Sequence, residues 1–300
     1  MREVYRIQEL DELTGHQALY GVIGFPVAHS RSPAMHRAAF QAAGMSAEYV
    51  RVEVPPDQVP EAVEKMRALP FLGWNATLPH KPALLPLMDV LGDSARRLGG
   101  VNTVVHEEGR LTGFNTDGDG WVRAVRESFG LDVRDLRIMI LGCGGAGAAL
   151  ARQATLEGCA RLVLANRSVE KARQLAAELK PFFDRETLRG AHESLVAVDL
   201  QDVTVLAREL DAVDLVVNGT SLGLKLTDPP PIPSSLLQPH LCIYDTIYRN
   251  TSFQQSSRAA GCRVANGLSM LLHQGALSWE LWTGREAPLE AMRDGLNETS

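Results

Sequence analysis

The stretch RIMILGCGGAGA, residues 137–148, joins an apolar run to the pattern Gly-x-Gly-x-x-Gly. In dinucleotide-binding units the first glycine allows a tight turn and the second lets the backbone approach a pyrophosphate. The third lets the following helix pack closely on the sheet. These glycines are Gly142, Gly144 and Gly147, and the next helix is predicted over Ala146 to Leu156. The phosphates would lie at the positively polarised start of that helix, so the stretch predicts a dinucleotide site in mid-chain.

The residues that follow the second predicted strand, Arg161 to Ala165, indicate which dinucleotide is bound. They are Asn166, Arg167 and Ser168, without an acid. An acid at this point usually accepts a hydrogen bond from the ribose of NAD, whereas the 2′-phosphate of NADP needs a cation. The guanidinium of Arg167 is a planar fork suited to phosphate. The alternative is that Arg167 is a surface charge and Ser168 a helix cap. We predict NADP as the cofactor.

Composition excludes several classes of protein. The 300 residues are 45% hydrophobic and 22% charged, which is typical of one large globular domain or two ordinary ones. A net charge of −6 without a basic cluster makes nucleic acid and anionic membranes poor partners. Neither a membrane span nor a signal-peptide core is evident, so we expect a cytoplasmic protein. The four cysteines are far apart, which predicts reduced thiols and no metal site: Cys143, Cys159, Cys242 and Cys262.

The order of predicted elements suggests an α/β protein of two domains. Strands at 18–23, 47–54 and 71–76 alternate with helices at 33–43 and 57–69, which indicates a parallel-type sheet. A helical stretch over 81–91 and a hairpin over 101–114 are predicted next. The first 17 residues are polar and are predicted to form a peripheral extension. We predict a substrate domain of residues 18–117 plus 267–300, with C-terminal helices returning to it, and a Rossmann-type domain of residues 118–266.

Small polar residues gather where predicted strands end, which is the usual ligand-binding edge of a parallel sheet. Ser30 and Ser32 precede a helix and could hold a carboxylate, although a serine there also serves as a cap. Thr77, Asn102 and Gln274 could bind the hydroxyls of a ring. Each of these alone is more often a turn or cap residue than a ligand.

Lys81 and Asp117 also follow predicted strand ends and are the best candidates for proton transfer. Only five of the 30 basic residues are lysines. An ammonium group can release its proton when its surroundings lower its pKa, whereas an arginine cannot. A lysine paired with a carboxylate could therefore move a proton at a hydroxyl while a nicotinamide takes or gives a hydride.

Taken together, these motifs resemble the shikimate dehydrogenase family from about Tyr20 to Gly284. The matching pieces, in chain order, are GFPVAHSRSPAMH at 24–36, NATLPHK at 75–81, VNT at 101–103, NTDGDG at 115–120, GCGGAG at 142–147, NRS at 166–168, NGTSLG at 218–223, DTIY at 245–248 and GLSMLLHQGA at 267–276. The resemblance implies an enzyme of aromatic amino-acid biosynthesis. It would reversibly reduce 3-dehydroshikimate to shikimate with NADP.

The same resemblance assigns roles to residues. Lys81 and Asp117 would be the catalytic pair, and Ser30 and Ser32 would hold the substrate carboxylate. The other substrate-binding residues would be Thr77, Asn102, Asp117, Tyr248 and Gln274. Those binding NADP would be Gly142, Gly144, Gly145, Ala146, Gly147, Asn166, Arg167, Ser168, Lys171, Thr220 and Gly267.

Some positions depart from the family pattern, and some alternatives stay open. Arg37 replaces a common asparagine, Ala76 a usual valine, and Arg249-Asn250 a usual x-Pro. The alternatives in function are a quinate/shikimate dehydrogenase of broader specificity and a non-catalytic metabolite sensor on the same fold. Residues 5–20 resemble the connector of fusions with a dehydroquinate dehydratase. The chain would otherwise act as a monomer or homodimer.

Overall fold

The computed structural model describes residues 2–16, 18–183 and 194–298. Its strands are β1 (Tyr5–Arg6), β2 (Leu19–Gly24), β3 (Glu48–Glu53), β4 (Phe71–Ala76), β5 (Val90–Leu91), β6 (Thr103–Glu107), β7 (Arg110–Phe114), β8 (Arg137–Leu141), β9 (Arg161–Asn166), β10 (Leu195–Asp199), β11 (Leu215–Asn218), β12 (Cys242–Asp245) and β13 (Arg263–Asn266). Its α-helices are α1 (Ser32–Ala42), α2 (Val59–Ala68), α3 (Asp93–Leu98), α4 (Asp117–Phe129), α5 (Gly145–Glu157), α6 (Val169–Phe183), α7 (Val203–Leu210), α8 (Ser252–Ala259), α9 (Gly267–Thr283) and α10 (Leu289–Asn297).

These elements form two compact units. The first contains Met1–Gly120 and Leu271–Ser300, and the second contains Trp121–Met270. The divisions fall inside α4 and α9, a few residues beyond the predicted boundaries at 117 and 266. Helices that bridge a division leave no loop signal in the sequence, so composition alone could not locate these points.

The first unit is built on a mixed seven-stranded sheet in the order β1-β3-β2-β4-β6-β7-β5. Strand β6 runs antiparallel to both β4 and β7, and the remaining pairs are parallel. One core cluster lies under β3 and β4 and a second lies against α1 and α9, with Trp74 and Trp279 fully buried. The interior of this unit is thus covered on both faces of its sheet.

The N-terminal residues belong to this core, so the expectation of a peripheral extension over residues 1–17 is wrong. Strand β1 pairs in parallel with β3, with Tyr5 opposite Val52. A 3-10 helix over Ile7–Leu13 follows and buries its apolar side chains, Leu10 completely. The sequence here is mainly polar. The short strand and the three buried apolar residues can be recognised only when the pairing of β1 with β3 is known.

The predicted helix over residues 81–91 is also wrong. The segment forms turns, a 3-10 helix at Leu85–Leu87 and strand β5. Pro82 and Pro86 lack an amide hydrogen and restrict the residues before them, so they prevent a continuous α-helix. Helix α3 is not predicted by the sequence pattern, and α10 lies in the region where C-terminal helices are predicted without bounds.

The second unit contains a six-stranded parallel sheet in the order β10-β9-β8-β11-β12-β13. Strand β8, with the predicted bounds, lies inside this sheet, and core clusters cover both faces. Strand β10 and helix α7 lie in a region too mixed in sequence to assign, where Asp202 caps α7 by accepting a hydrogen bond from the amide of Val205 at 3.0 Å. No helix in the described part of the chain is long and apolar enough to cross a membrane.

Candidate active site

Lys81 and Asp117 are in direct contact in the first unit. The Nζ atom of Lys81 lies 2.6 Å from Oδ2 of Asp117, and their side chains are 29% and 13% exposed. The backbone of Lys81 is held by a hydrogen bond from the amide of Val101, at 2.8 Å. The amide of Asp117 donates to Oδ1 of Asn115 at 3.1 Å, at the start of α4. An ammonium group and a carboxylate therefore meet where both remain partly open to solvent.

Asn102 and Gln274 join this pair. The Nδ2 atom of Asn102 donates to Oδ1 of Asp117 at 3.0 Å and lies 3.3 Å from Oε1 of Gln274. On its other side, Oδ1 of Asn102 accepts the backbone amide of Thr116 at 2.8 Å. Asn102 is 1% exposed and Gln274 8% exposed. The structure thus brings together four of the predicted site residues, with Asn102 at the buried base of the group.

The two predicted carboxylate-binding serines lie close together at the beginning of α1. The amide of Ser32 donates to Oγ of Ser30 at 3.3 Å. The helix begins at Ser32, one residue before the predicted start at Pro33. The loop is held by Arg51, whose Nε and Nη2 atoms donate to the carbonyl of Ser30 at 3.0 and 2.7 Å. Thr77 lies immediately after β4 and is partly buried.

The glycine turn of the second unit has the shape that a dinucleotide needs. Gly142 has a φ of +90°, which favours glycine, and a Cβ on Gly147 would lie 1.8 Å from the carbonyl oxygen of Gly142. A Cβ on Gly144 or Gly145 would meet no protein atom within 4 Å. The outer glycines are therefore required by the chain itself, whereas the middle two leave a cradle open at the start of α5, as a bound pyrophosphate requires. Ala146 is exposed beside them.

The residues after β9 have different roles. Oδ1 of Asn166 accepts the amide of Cys143 at 2.9 Å, and its Nδ2 donates to the carbonyl of Ser168 at 2.8 Å. Asn166 therefore shapes the glycine turn. Arg167 and Lys171 are exposed. Burial raises the pKa of the Cys143 thiol to about 11, so this cysteine is a neutral packing group.

The remaining predicted residues of this unit, Thr220, Tyr248 and Gly267, lie in or next to two loops. Thr220 donates from Oγ1 to Oδ1 of Asn218 at 2.7 Å. A Cβ on Gly267 would lie 2.1 Å from the carbonyl oxygen of Thr246, so this glycine permits close approach of the loop that carries Tyr248. The carbonyl of Tyr248 accepts from Nδ2 of Asn266 at 3.3 Å.

A buried residue that the sequence did not single out supports the Tyr248 loop. The Nε2 atom of Gln254 donates to the carboxylate of Asp245 at 3.0 Å, and to the carbonyls of Ile247 and Arg249 at 3.0 and 2.8 Å. Asp245 and Gln254 are fully buried. The side chain of Gln254 therefore holds the backbone at the position where the expected proline is missing.

In the first unit, the sequence also missed buried polar residues behind the Lys81–Asp117 pair: Tyr49, Asn75, Thr103, Thr116 and Ser278. A signal existed for some of them, because Asn75 and Thr103 lie inside the quoted motifs. For Ser278 the sequence gives no distinct signal, because the same helical run also contains Ser269 and other polar residues.

A parallel sheet with an open glycine cradle, in a chain that also holds a paired lysine and aspartate, defines a dinucleotide-dependent oxidoreductase. Family models agree: residues 22–104 match the shikimate dehydrogenase substrate binding domain, 123–221 the shikimate / quinate 5-dehydrogenase domain, and 267–294 the shikimate 5'-dehydrogenase C-terminal domain. The chain belongs to the shikimate dehydrogenase family.

Individual relatives give the same result. The chain is 41% identical to shikimate dehydrogenase (NADP(+)) of Moorella thermoacetica, over 93% of this chain and 92% of the relative. The structure of shikimate 5-dehydrogenase from Thermus thermophilus in complex with NADP(H) and shikimate is 32% identical with a TM-score of 0.81, covering 94% of this chain and 100% of that one. Quinate dehydrogenase from Corynebacterium glutamicum in complex with NAD is 30% identical with a TM-score of 0.81, covering 95% and 100%.

Proposed function

We propose that this protein reversibly reduces 3-dehydroshikimate to shikimate with NADP. The observation that carries the proposal is the 2.6 Å contact between Nζ of Lys81 and Oδ2 of Asp117, with Asn102 donating to the same carboxylate. This arrangement places a proton donor and an acceptor side by side, and both are accessible to a small molecule. It suits a reaction in which a carbonyl oxygen gains a proton as its carbon is reduced.

In reduction, Lys81 gives a proton to the carbonyl oxygen of the substrate, and in the reverse direction it takes the proton from the hydroxyl. Asp117 holds the ammonium group in place and accepts a hydrogen bond from a neighbouring hydroxyl of the ring. When bound, NADPH supplies the hydride. Lys81 is suited to this cycle because an amine can lose and regain a proton at accessible pH, whereas a guanidinium cannot.

The remaining residues of the first unit orient the substrate. The hydroxyls of Ser30 and Ser32, at the positively polarised start of α1, bind the carboxylate. Thr77 and Gln274 hydrogen-bond to ring hydroxyls, and Asn102 acts mainly through Asp117 because it is almost wholly buried. Tyr248 is proposed as a further substrate contact.

The second unit would hold NADP. The cradle at Gly144, Gly145 and Ala146 fits the pyrophosphate, and the exposed guanidinium of Arg167 fits the 2′-phosphate. Ser168 and Lys171 lie near Arg167 in sequence and would add a hydroxyl and a charge. Thr220 and Gly267 complete the proposed set.

The test is oxidation of NADPH by the purified protein with 3-dehydroshikimate, alongside the same assay with 3-dehydroquinate. We expect turnover with 3-dehydroshikimate at a higher kcat/KM. Absence of turnover together with measurable shikimate binding would reject the enzyme and favour the non-catalytic sensor.

A second candidate is quinate oxidation, which the similarity to a quinate dehydrogenase favours. Quinate carries an extra hydroxyl at the carbon that bears the carboxylate and needs more room beside Ser30 and Ser32. A pocket rejects an added hydroxyl by only about 10²-fold, so slow quinate oxidation is compatible with a preference for shikimate. A kcat/KM for quinate equal to that for shikimate, with NADP, would promote the broader enzyme. Cytoplasmic location, a monomeric or homodimeric state and fusion to a dehydratase stay predictions.

A further inference from the structure

Behind Lys81 and Asp117 lies a group of buried polar side chains that the proposed reaction does not use. Tyr49, Thr103 and Ser278 are each 0% exposed, and Asn75 is 4% exposed. They come from β3, β4, β6 and α9, all within the first unit. Buried hydroxyls and amides destabilise a fold unless they are hydrogen-bonded, so a group of four that contact one another calls for a reason.

Backbone groups determine how the side-chain amides of Asn75 and Asn102 are oriented. Oδ1 of Asn102 accepts the amide of Thr116 at 2.8 Å, which directs its Nδ2 toward Asp117. The Nδ2 atom of Asn75 donates to the carbonyl of Asn102 at 3.1 Å, which directs its Oδ1 toward the phenol of Tyr49 at 2.7 Å. Because a backbone amide only donates and a carbonyl only accepts, neither side chain can be flipped.

The phenol of Tyr49 is the donor in its contact with Asn75. An amide oxygen can only accept, so the single proton of Tyr49 points to Oδ1 of Asn75. Burial raises the pKa of Tyr49 well above its usual value, which keeps this proton in place.

Ser278 and Thr103 complete the connection. Nδ2 of Asn75 donates to Oγ of Ser278 at 2.9 Å and to Oγ1 of Thr103 at 3.1 Å, and Oγ of Ser278 lies 2.8 Å from Oγ1 of Thr103. Thr103 donates to Oδ1 of Asn102 at 2.8 Å. Because Thr103 has one proton, Ser278 is the donor in their contact. Two other acceptors lie within reach of Ser278 and both are more distant, the carbonyl of Gln274 at 3.0 Å and Oγ1 of Thr116 at 3.4 Å.

We infer that Ser278 is a positioning residue for the catalytic pair and the central member of a directed hydrogen-bond relay. Each member donates toward the carboxylate of Asp117, in the order Tyr49, Asn75, Ser278, Thr103, Asn102. The relay fixes Asn102, which in turn fixes Asp117 and the ammonium group of Lys81. This inference rests on the proposed function.

Loss of the Ser278 hydroxyl removes the shorter contacts between Asn75 and Thr103 and leaves only their direct contact at 3.1 Å. Nδ2 of Asn75 loses its nearest acceptor and Oγ1 of Thr103 loses a donor, so Thr103 is less firmly held where it donates to Asn102. The contacts of Lys81 with Asp117 then become less well defined. Small errors in the position of a reacting group cost rate far more than they cost binding of a distant ligand.

The test compares Ser278→Ala with the matched control Ser257→Ala. Both serines are 0% exposed and lie on helices, and each hydroxyl contacts the carbonyl four residues earlier, at 3.0 Å to Gln274 and 2.7 Å to Phe253. Only Ser278 belongs to the relay. We expect Ser278→Ala to lower kcat about tenfold with the KM for NADPH unchanged, and Ser257→Ala to leave kcat unchanged.

Two further measurements make the result decisive. Thr103→Val should lower kcat to the same extent as Ser278→Ala. Thr103→Ser keeps the hydroxyl and should have the kcat of the wild type. This pair tests the relay if Ser278→Ala does not fold. The side-chain amide signals of Asn102 in an NMR spectrum should move in Ser278→Ala and stay in place in Ser257→Ala. Equal kcat in the two serine variants, or unmoved Asn102 signals, would overturn the relay. A wild-type protein without turnover would refute the proposed function instead, and the Asn102 signals would still decide the relay.

Discussion

The two units prepare for their ligands in opposite ways. In the first, the groups proposed for catalysis already contact one another, with Lys81, Asp117 and Asn102 hydrogen-bonded over a buried polar base. In the second, the cradle at Gly144 and Gly145 is open and Arg167 is exposed. The difference matches two tasks. Proton transfer needs a preset geometry, whereas a large anionic cofactor needs unobstructed backbone and a charge that is still available.

The largest effect is expected for Lys81→Ala, which removes a member of the hydrogen-bonded group in the first unit. Loss of the proton-transfer group should lower kcat by roughly 10²–10⁴ with little change in NADPH binding. Lys81→Arg should fail as well, because a guanidinium keeps its proton. Steady-state kinetics measure both. Lys65→Ala, which removes a surface pair with Asp11, is the control, and near-normal turnover by Lys81→Ala would refute the assignment.

The open region is tested next by Arg167→Ala. Removal of a charge-assisted contact to the 2′-phosphate should weaken NADPH binding by about 1.5–3 kcal/mol and leave NADH binding unchanged. Titration with both cofactors measures the difference. Arg173→Ala on helix α6, which begins two residues after Arg167, removes an arginine that pairs with Glu170 and should leave both affinities as they are. A similar loss for NADH would show that Arg167 does not read the 2′-phosphate.

Substitutions at two glycines distinguish a glycine that the fold requires from one that cofactor binding requires. Gly147→Ala forces a Cβ against the carbonyl of Gly142 and should lower the free energy of unfolding by about 1–3 kcal/mol. Gly144→Ala meets no protein atom, and its φ of −80° suits alanine, so it should keep wild-type stability and weaken NADPH binding. Denaturant unfolding and cofactor titration of both variants check this. Unchanged NADPH affinity in Gly144→Ala would mean that the cradle is not the pyrophosphate site.

The smallest expected effect concerns the dry interior beside the relay. Burial lowers the pKa of His36 to about 3, and its ring stacks on Tyr49 with centroids 4.5 Å apart. Below pH 6.5, His36 therefore becomes protonated in the unfolded chain but stays neutral in the folded protein. The free energy of unfolding falls as the pH drops toward 3. His36→Phe should remove about 1.4 kcal/mol per pH unit from this slope. Unfolding by urea between about pH 4 and 6 measures it, with the exposed His240→Gln as control, and an unchanged slope would contradict the burial of a neutral His36.

The contrast between the units also explains what could be predicted from the sequence. The glycine turn and β8 are local patterns, so their bounds were predicted correctly, and Lys81 and Asp117 stand out because both follow strand ends. The relay could not be foreseen, because Asn75 and Ser278 are 203 residues apart and only the folded sheet brings them together. The failed helix at 81–91 has a local cause, since Pro82 and Pro86 outweigh the apolar pattern. Strand β1 was missed because its two residues carry no strand pattern of their own and form a strand only by pairing with β3.

That same strand has a consequence for handling the protein. Strand β1 pairs with the last two residues of β3, Val52 and Glu53, and the 3-10 helix that follows it buries apolar side chains in the core. A shortened chain beginning at Ala18 would leave the end of β3 unpaired and these core contacts uncovered, and an uncovered edge invites strand addition by another molecule. We expect such a truncation to self-associate and precipitate, even though it retains every residue proposed to bind substrate or cofactor.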